Sequence, residues 1–242
     1  MIECNGVWKR YSKSAQGIKS LLIGKKATSE SRYARGWALQ DINFTVEQGS
    51  AFGIVGHNGT GKSTLLSLLL NTIKPDRGTI QVSGRVAGLL ELGAGFHPEL
   101  TGRENIYLYG SILGMRLSEL HRKFDEIVEF SELGGAIDNP IRTYSNGMVT
   151  RLGFSTIIHT PAEVLLIDEV LAVGDSQFQA KCKEYLRTFK QQGGTIVLVS
   201  HDMEALTEMC DVGICMDMGK IVMQGDIASV TQWHQKLMRP VV

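Results

Sequence analysis

The stretch Gly56-His57-Asn58-Gly59-Thr60-Gly61-Lys62-Ser63-Thr64 follows the apolar run Ala51 to Val55 and precedes the run Leu65 to Leu70. A short apolar run, a glycine-rich turn and an apolar stretch of helix length read as strand, loop and helix. That is the setting a phosphate-binding P-loop requires. Gly56, Gly59 and Gly61 let the backbone turn tightly with its N–H groups pointing inward around an anion. The following helix adds the positive end of its dipole. In this pattern Lys62 reaches the β- and γ-phosphates and Ser63 ligates Mg²⁺. The loop implies a nucleotide and leaves its purpose open.

Two further apolar runs deliver polar residues to what would be the same edge of a parallel sheet, where ligands bind. Val164 to Ile167 ends in Asp168-Glu169. Asp168 can hold Mg²⁺ through its water shell, and Glu169 can take a proton from an attacking water. Val197 to Val199 leads to Ser200-His201, and His201 could contact the γ-phosphate and align that water. Tyr144-Ser145-Asn146-Gly147-Met148 precedes an apolar helical stretch, Val149 to His159. Ser145 is a good N-cap, and the helix start is either an ordinary capped terminus or a second anion site. Spacing alone leaves both open.

The rest of the chain frames these pieces. Ile2 to Trp8, Ala38 to Val46, Thr79 to Val82, Val86 to Leu90 and Thr195 to Val199 read as further strands, and Glu91 to Pro98 as a glycine-rich loop. From Thr101 the pattern is helical, with Leu117, Leu120, Phe124, Ile127 and Val128 on one face, so residues 99 to 160 read as a helical subdomain inserted into an α/β core. Helices follow at Phe178 to Phe189, Asp202 to Met209 and Asp226 to Met238, with a hairpin from Val212 to Gln224. One domain of 242 residues is expected. Residues 12 to 36 carry six Lys or Arg against the single acid Glu30, with Ile18, Leu21 and Leu22 at helical spacing. This segment is either a solvated insertion or a basic amphipathic element for a membrane partner or headgroups. Over the whole chain charge is balanced, 25 basic against 25 acidic residues, which gives no general case for nucleic acid. Cys4, Cys182, Cys210 and Cys215 lack metal or redox spacing and are expected to be reduced, buried thiols, which with no signal peptide favours the cytosol. The longest apolar runs fall far short of the ~20 residues that span a bilayer.

Taken together, these motifs resemble the ATPase subunit of an ATP-binding cassette (ABC) transporter over nearly the whole chain. The P-loop, Tyr144 to Met148 as the signature, Asp168-Glu169, the loop Ala172-Val173-Gly174-Asp175 and His201 stand in the family's order. The resemblance implies a P-loop NTPase core of mainly parallel sheet, an N-terminal antiparallel part and ATP with Mg²⁺ as cofactors. It also implies a head-to-tail homodimer in which Ser145, Asn146, Gly147 and Met148 of one subunit face the nucleotide on the other's Lys62, with Asp175 in the inter-subunit loop. Tyr11 is similar to the aromatic residue that stacks on adenine. The family's usual signature is Leu-Ser-Gly-Gly-Gln, and its usual glutamine after the strand at Val86 is missing, with Glu91 nearest its place. Leu90 to Gly93 through Arg103-Glu104-Asn105, the signature, Leu171 to Asp175 and the basic insertion resemble the branch that exports lipid-linked polysaccharides such as O-antigen and teichoic acid. By that resemblance the chain works at the cytoplasmic face of the membrane beside integral permease subunits. A lipid, drug or peptide exporter is the alternative, and a non-transport ABC ATPase a more distant one.

Overall fold

A computed structural model describes residues 1–11, 36–89, 92–93, 95–168 and 174–238. The basic insertion, Glu91, Glu169 and the first part of the loop before Asp175 therefore lie outside the described residues. Strands β1 (Ile2–Lys9), β2 (Leu39–Val46) and β4 (Arg77–Val82) form an antiparallel sheet in the order β2-β1-β4. The second sheet has six strands in the order β5-β6-β7-β3-β8-β9: β3 (Ala51–Val55), β5 (Val86–Leu89), β6 (Val164–Asp168), β7 (Thr195–Val199), β8 (Val212–Asp217) and β9 (Lys220–Asp226). Its strands pair in parallel from β5 through β8, and β9 returns antiparallel.

The continuous apolar runs became the central strands because both faces of this sheet are covered. Every residue of β3 and β7 is buried. On one face, Phe52 and Ile54 pack with Ile2, Ile42 and Phe44 of the small sheet and with Leu65 and Leu66 of helix α1 (Lys62–Leu69). The Phe44 and Phe52 rings stack at 5.2 Å. On the other face, Val55, Ile167 and Leu198 meet α4 (Asn146–Ile158), α5 (Ser176–Gln191), α6 (Met203–Met209) and α7 (Ile227–Met238) through residues such as Phe154, Phe178, Leu206 and Val230. The expected hairpin is β8–β9, and the expected strand at Thr79 starts earlier, at Arg77, because Trp8 pairs with it across the sheet.

Two more helices, α2 (Gly102–Ile112) and α3 (Leu117–Ser131), join α4 around Ile106, Leu120, Phe124, Ile127 and Leu152. This third core holds no strand among the described residues, as the helical periodicity requires. Thr101 starts α2 with a reciprocal cap, its hydroxyl accepting from Glu104 N and its own N–H donating to the Glu104 carboxylate. At the base of the β1–β2 connection Ala38 N donates to Lys9 O at 2.7 Å. There the rings of Trp8 and Trp37 meet edge to face at 5.2 Å, with Arg10 and Arg77 stacked over Trp37. All four cysteines are free and buried, and burial pushes their thiols up, to about 12 for Cys4, Cys182 and Cys210 and to about 11 for Cys215. No helix among the described residues is long and apolar enough to cross a membrane.

Candidate nucleotide site

The P-loop leaves β3 at Gly56, and two of its glycines are dictated by close approach. A Cβ on Gly56 would stand 2.5 Å from Met216 O, and one on Gly61, at φ +107°, would stand 2.8 Å from Ala38 O. The loop is thus wedged between β8 and β2. Its own bonds close it: Thr60 N and Thr60 Oγ1 both donate to His57 O, and Leu65 N donates to Gly61 O. Lys62 Nζ, nearly buried, lies back along the loop and donates to Gly56 O at 2.6 Å and His57 O at 3.1 Å. Phosphate oxygens are stronger acceptors for an ammonium than backbone carbonyls, so an incoming nucleotide can draw the same amine across.

Sheet topology brings the sequence-distant residues together. Asp168 closes β6 and His201 lies just beyond β7, and β6, β7 and β3 are neighbours. As a result Asn58, Gly59, Gly61, Lys62, Ser63, Thr64, Asp168 and His201 line one cavity of about 180 Å³. His201 Nε2 stands 3.1 Å from Asn58 Oδ1. Tyr11, 54% exposed, donates from its hydroxyl to Thr64 Oγ1 at 3.3 Å, so its ring flanks the first turn of α1 despite the long insertion behind it. A larger cavity of about 610 Å³ lies between α3, the end of α4 and Tyr185. Its charges, Glu119 and Glu126 against Arg122 and Lys123, do not converge on one ligand chemistry, and the site is assigned to the P-loop cavity on its donors.

The signature residues are elsewhere. Ser145 caps α4, its Oγ accepting from Met148 N at 3.2 Å, and Asn146 and Gly147 form the first turn. Ser145, Gly147 and Met148 line a separate cavity of about 360 Å³ with Leu133, Arg151, Gly174 and Asp175. This cavity shares no residue with the P-loop cavity. Asp175 caps α5 by accepting from Phe178 N at 3.0 Å and pairs with Arg151. The Phe178 amide and the Arg151 charge hold its carboxyl below the usual range.

The family model described as "ABC transporter" matches residues 39–172. The chain belongs to the ABC transporter family. An O-antigen export system ATP-binding protein, RfbB of Klebsiella pneumoniae, is 46% identical over 229 residues, covering 94% of this chain and 93% of that protein. A teichoic acids export ATP-binding protein, TagH of Lactococcus lactis, is 37% identical over 93% of this chain, which spans 49% of its length. A solved dimeric ATP-binding cassette bound to ADP and Pi superposes with a TM-score of 0.74 over 94% of this chain and 99% of its own, at 19% identity, a likeness of fold.

As an ABC ATPase, the chain carries supporting residues that no local pattern singles out. Arg151 spans from the signature helix to Glu132 at 2.9 Å and to Asp175, and its guanidinium lies over the Phe178 ring at 4.8 Å. Asn105, fully buried, holds the loop before α2 by four hydrogen bonds. Asp217 contacts the P-loop histidine at 2.8 Å. Arg151 and Asp217 depend on partners farther along the chain, and Asn105 on backbone groups of the irregular loop just before it. Local pattern carried no signal beyond the presence of a polar residue among apolar ones.

Proposed function

We propose that this chain is the nucleotide-binding subunit of an exporter that moves a lipid-linked polysaccharide outward through separate membrane subunits. The observation that carries the reading is the end-to-end similarity to an O-antigen export ATP-binding protein, 46% identity across nearly all of both chains. Teichoic acid export relatives support the same cargo class.

In this reading Gly56 to Thr64 bind the phosphates, Lys62 neutralises the β- and γ-oxygens, and the exposed ring of Tyr11 stacks on the base. Ser63 and Asp168 would hold Mg²⁺, and the fit is a chemical one: two hard oxygen donors line the phosphate cavity. Mg²⁺ takes few protein ligands and completes its shell with water and phosphate. Bound there, the ion would offset charge on the phosphates. Glu169 is assigned the proton of the attacking water, and His201, beside Asn58, orients that water and the γ-phosphate.

Ser145 and Gly147 are assigned to the partner's nucleotide. Support comes from the separation of the two cavities within one chain: a signature that cannot meet its own P-loop is completed by a second copy placed head to tail. ATP binding closes that dimer and hydrolysis reopens it. Contact with membrane subunits is supported by the exposed side chains of Leu108 and Ile112, one turn apart on α2.

The test compares cells carrying the wild-type chain with cells carrying Glu169→Gln at matched levels, following a labelled lipid-linked glycan. Accumulation inside with loss at the surface is expected. An unchanged distribution, with ATPase activity confirmed lost, removes the polysaccharide assignment.

A further inference from the structure

The turn of the β8–β9 hairpin leans on the P-loop. Met218 and Gly219 both have positive φ, 45° and 77°, which tightens the hairpin to a two-residue turn. That turn is held from two directions. Gly219 N donates to Thr60 O at 3.1 Å, while Gly219 O and Met218 O accept from the backbone and side chain of Gln40, at 2.7 and 3.2 Å. Asp217, the last residue of β8, therefore has a fixed place beside the loop, and its Oδ1 stands 2.8 Å from His57 Nε2.

The other nitrogen of the same ring, Nδ1, stands 3.0 Å from Asn58 O. Both ring nitrogens thus face oxygen acceptors. Asp217 on one side and the Asn58 carbonyl on the other therefore hold the ring in one orientation. The other charged and titratable groups around this ring are known. Lys62 donates to the carbonyl of His57 itself. His201 is tied to Asn58, and His234 is buried on α7 under the influence of His201, Lys62 and His57. The contact is partly open to solvent, with side-chain exposures of 38% for His57 and 31% for Asp217.

We propose that Asp217 is a positioning residue for the ATPase reaction: through His57 it fixes the P-loop around the nucleotide phosphates. It touches neither nucleotide nor metal. Its effect reaches the phosphates through the histidine ring and the backbone of Asn58, and the same segment carries the Asn58 side chain to His201. Because both ground and transition states carry those phosphates, the expected effect is on nucleotide binding more than on the chemical step.

The experiment measures binding of a fluorescent ADP analogue to the purified full chain and steady-state ATPase, for wild type, Asp217→Asn, Asp217→Glu, His57→Gln and the double variant Asp217→Asn/His57→Gln. Asp217→Asn is expected to weaken ADP binding about two- to fivefold, the range of a partly exposed ion pair, and to raise KM more than it lowers kcat. Asp217→Glu should recover part of the loss, and adding Asp217→Asn to His57→Gln should cost nothing further. Losses that add in the double variant, or a fall in kcat with KM and ADP binding unchanged, overturn the proposal. Should Asp217→Asn fail to fold, His57→Gln alone decides: it must weaken ADP binding about two- to fivefold with KM raised more than kcat is lowered, and unchanged binding refutes the assignment.

Discussion

Replacing Asn105 tests whether one buried amide holds the path from the loop after β5 to the signature. Its Nδ2 donates to His97 O, Leu100 O and Thr101 O at 3.1, 3.0 and 2.9 Å, and its Oδ1 accepts from His97 N at 2.7 Å. Most of these partners have a second bond. His97 O also accepts from Leu100 N, Leu100 O from Ile141 N, and Thr101 O from Asn105 N itself. The amide of His97 is left to lose. Asn105→Ala therefore orphans one part-buried donor and should destabilise by about 2 kcal/mol. Asn105→Asp keeps the acceptor for His97 N but sets carboxylate oxygen against three carbonyls in a dry site, and should cost more, above about 3 kcal/mol. Side-chain shape alone orders the two the other way, since Asp is nearly isosteric with Asn. The loop is also stitched to the approach of the signature by Ile141 N to Leu100 O and Arg142 N to Pro98 O. Loosening should thus spread to Ser145. Hydrogen exchange of peptides covering residues 96–105 and 139–150, with urea unfolding followed by circular dichroism, gives both readouts. Equal costs for the two variants, or a milder effect from Asp, refute the accounting.

Arg151→Met should leave ADP binding by the single chain unchanged while loosening the link between α4 and α5, because the guanidinium that pairs with Glu132 and Asp175 and covers the Phe178 ring is lost. ATP-driven dimerisation measured by sedimentation should weaken with it, and intact dimerisation would remove Arg151 from that link. His159 and His234 have values lowered chiefly by burial. Each is neutral in the fold yet charges more readily in the unfolded chain. Their contribution to stability is full above the ordinary imidazole value, about 6.5, and is lost as pH falls through it towards the folded value. The urea midpoint should drop between about pH 7.5 and pH 5, less steeply in His159→Gln. An unchanged slope in that variant excludes His159 as a source.

The central strands were legible because nothing but burial shapes them. Ala51 to Val55 and Thr195 to Val199 are unbroken apolar runs, and both are strands over those same residues. The start of α4 was legible from Ser145, since an N-cap announces itself locally. β4 was read short because Arg77 and Gly78 are exposed, and it is the pairing with β1 that makes a strand of them. The P-loop cavity could be anticipated residue by residue from three strand ends because sheet adjacency follows from the α/β pattern. Arg151, Asn105 and Asp217 could not be placed in the same way. The partners of Arg151 and Asp217 lie across folds of the chain, 160 residues away for Asp217, those of Asn105 are backbone groups of an irregular loop, and a single polar side chain carries no periodicity that points to its partner.

The bond from Ala38 N to Lys9 O, with the Trp8 and Trp37 rings above it, fastens together the two ends of the β1–β2 connection. Closing a longer connection costs only a little more entropy than closing a short one. A nucleotide engine fastened this way can take a connection of another length at little cost to the sheet whose end sets Tyr11 beside α1.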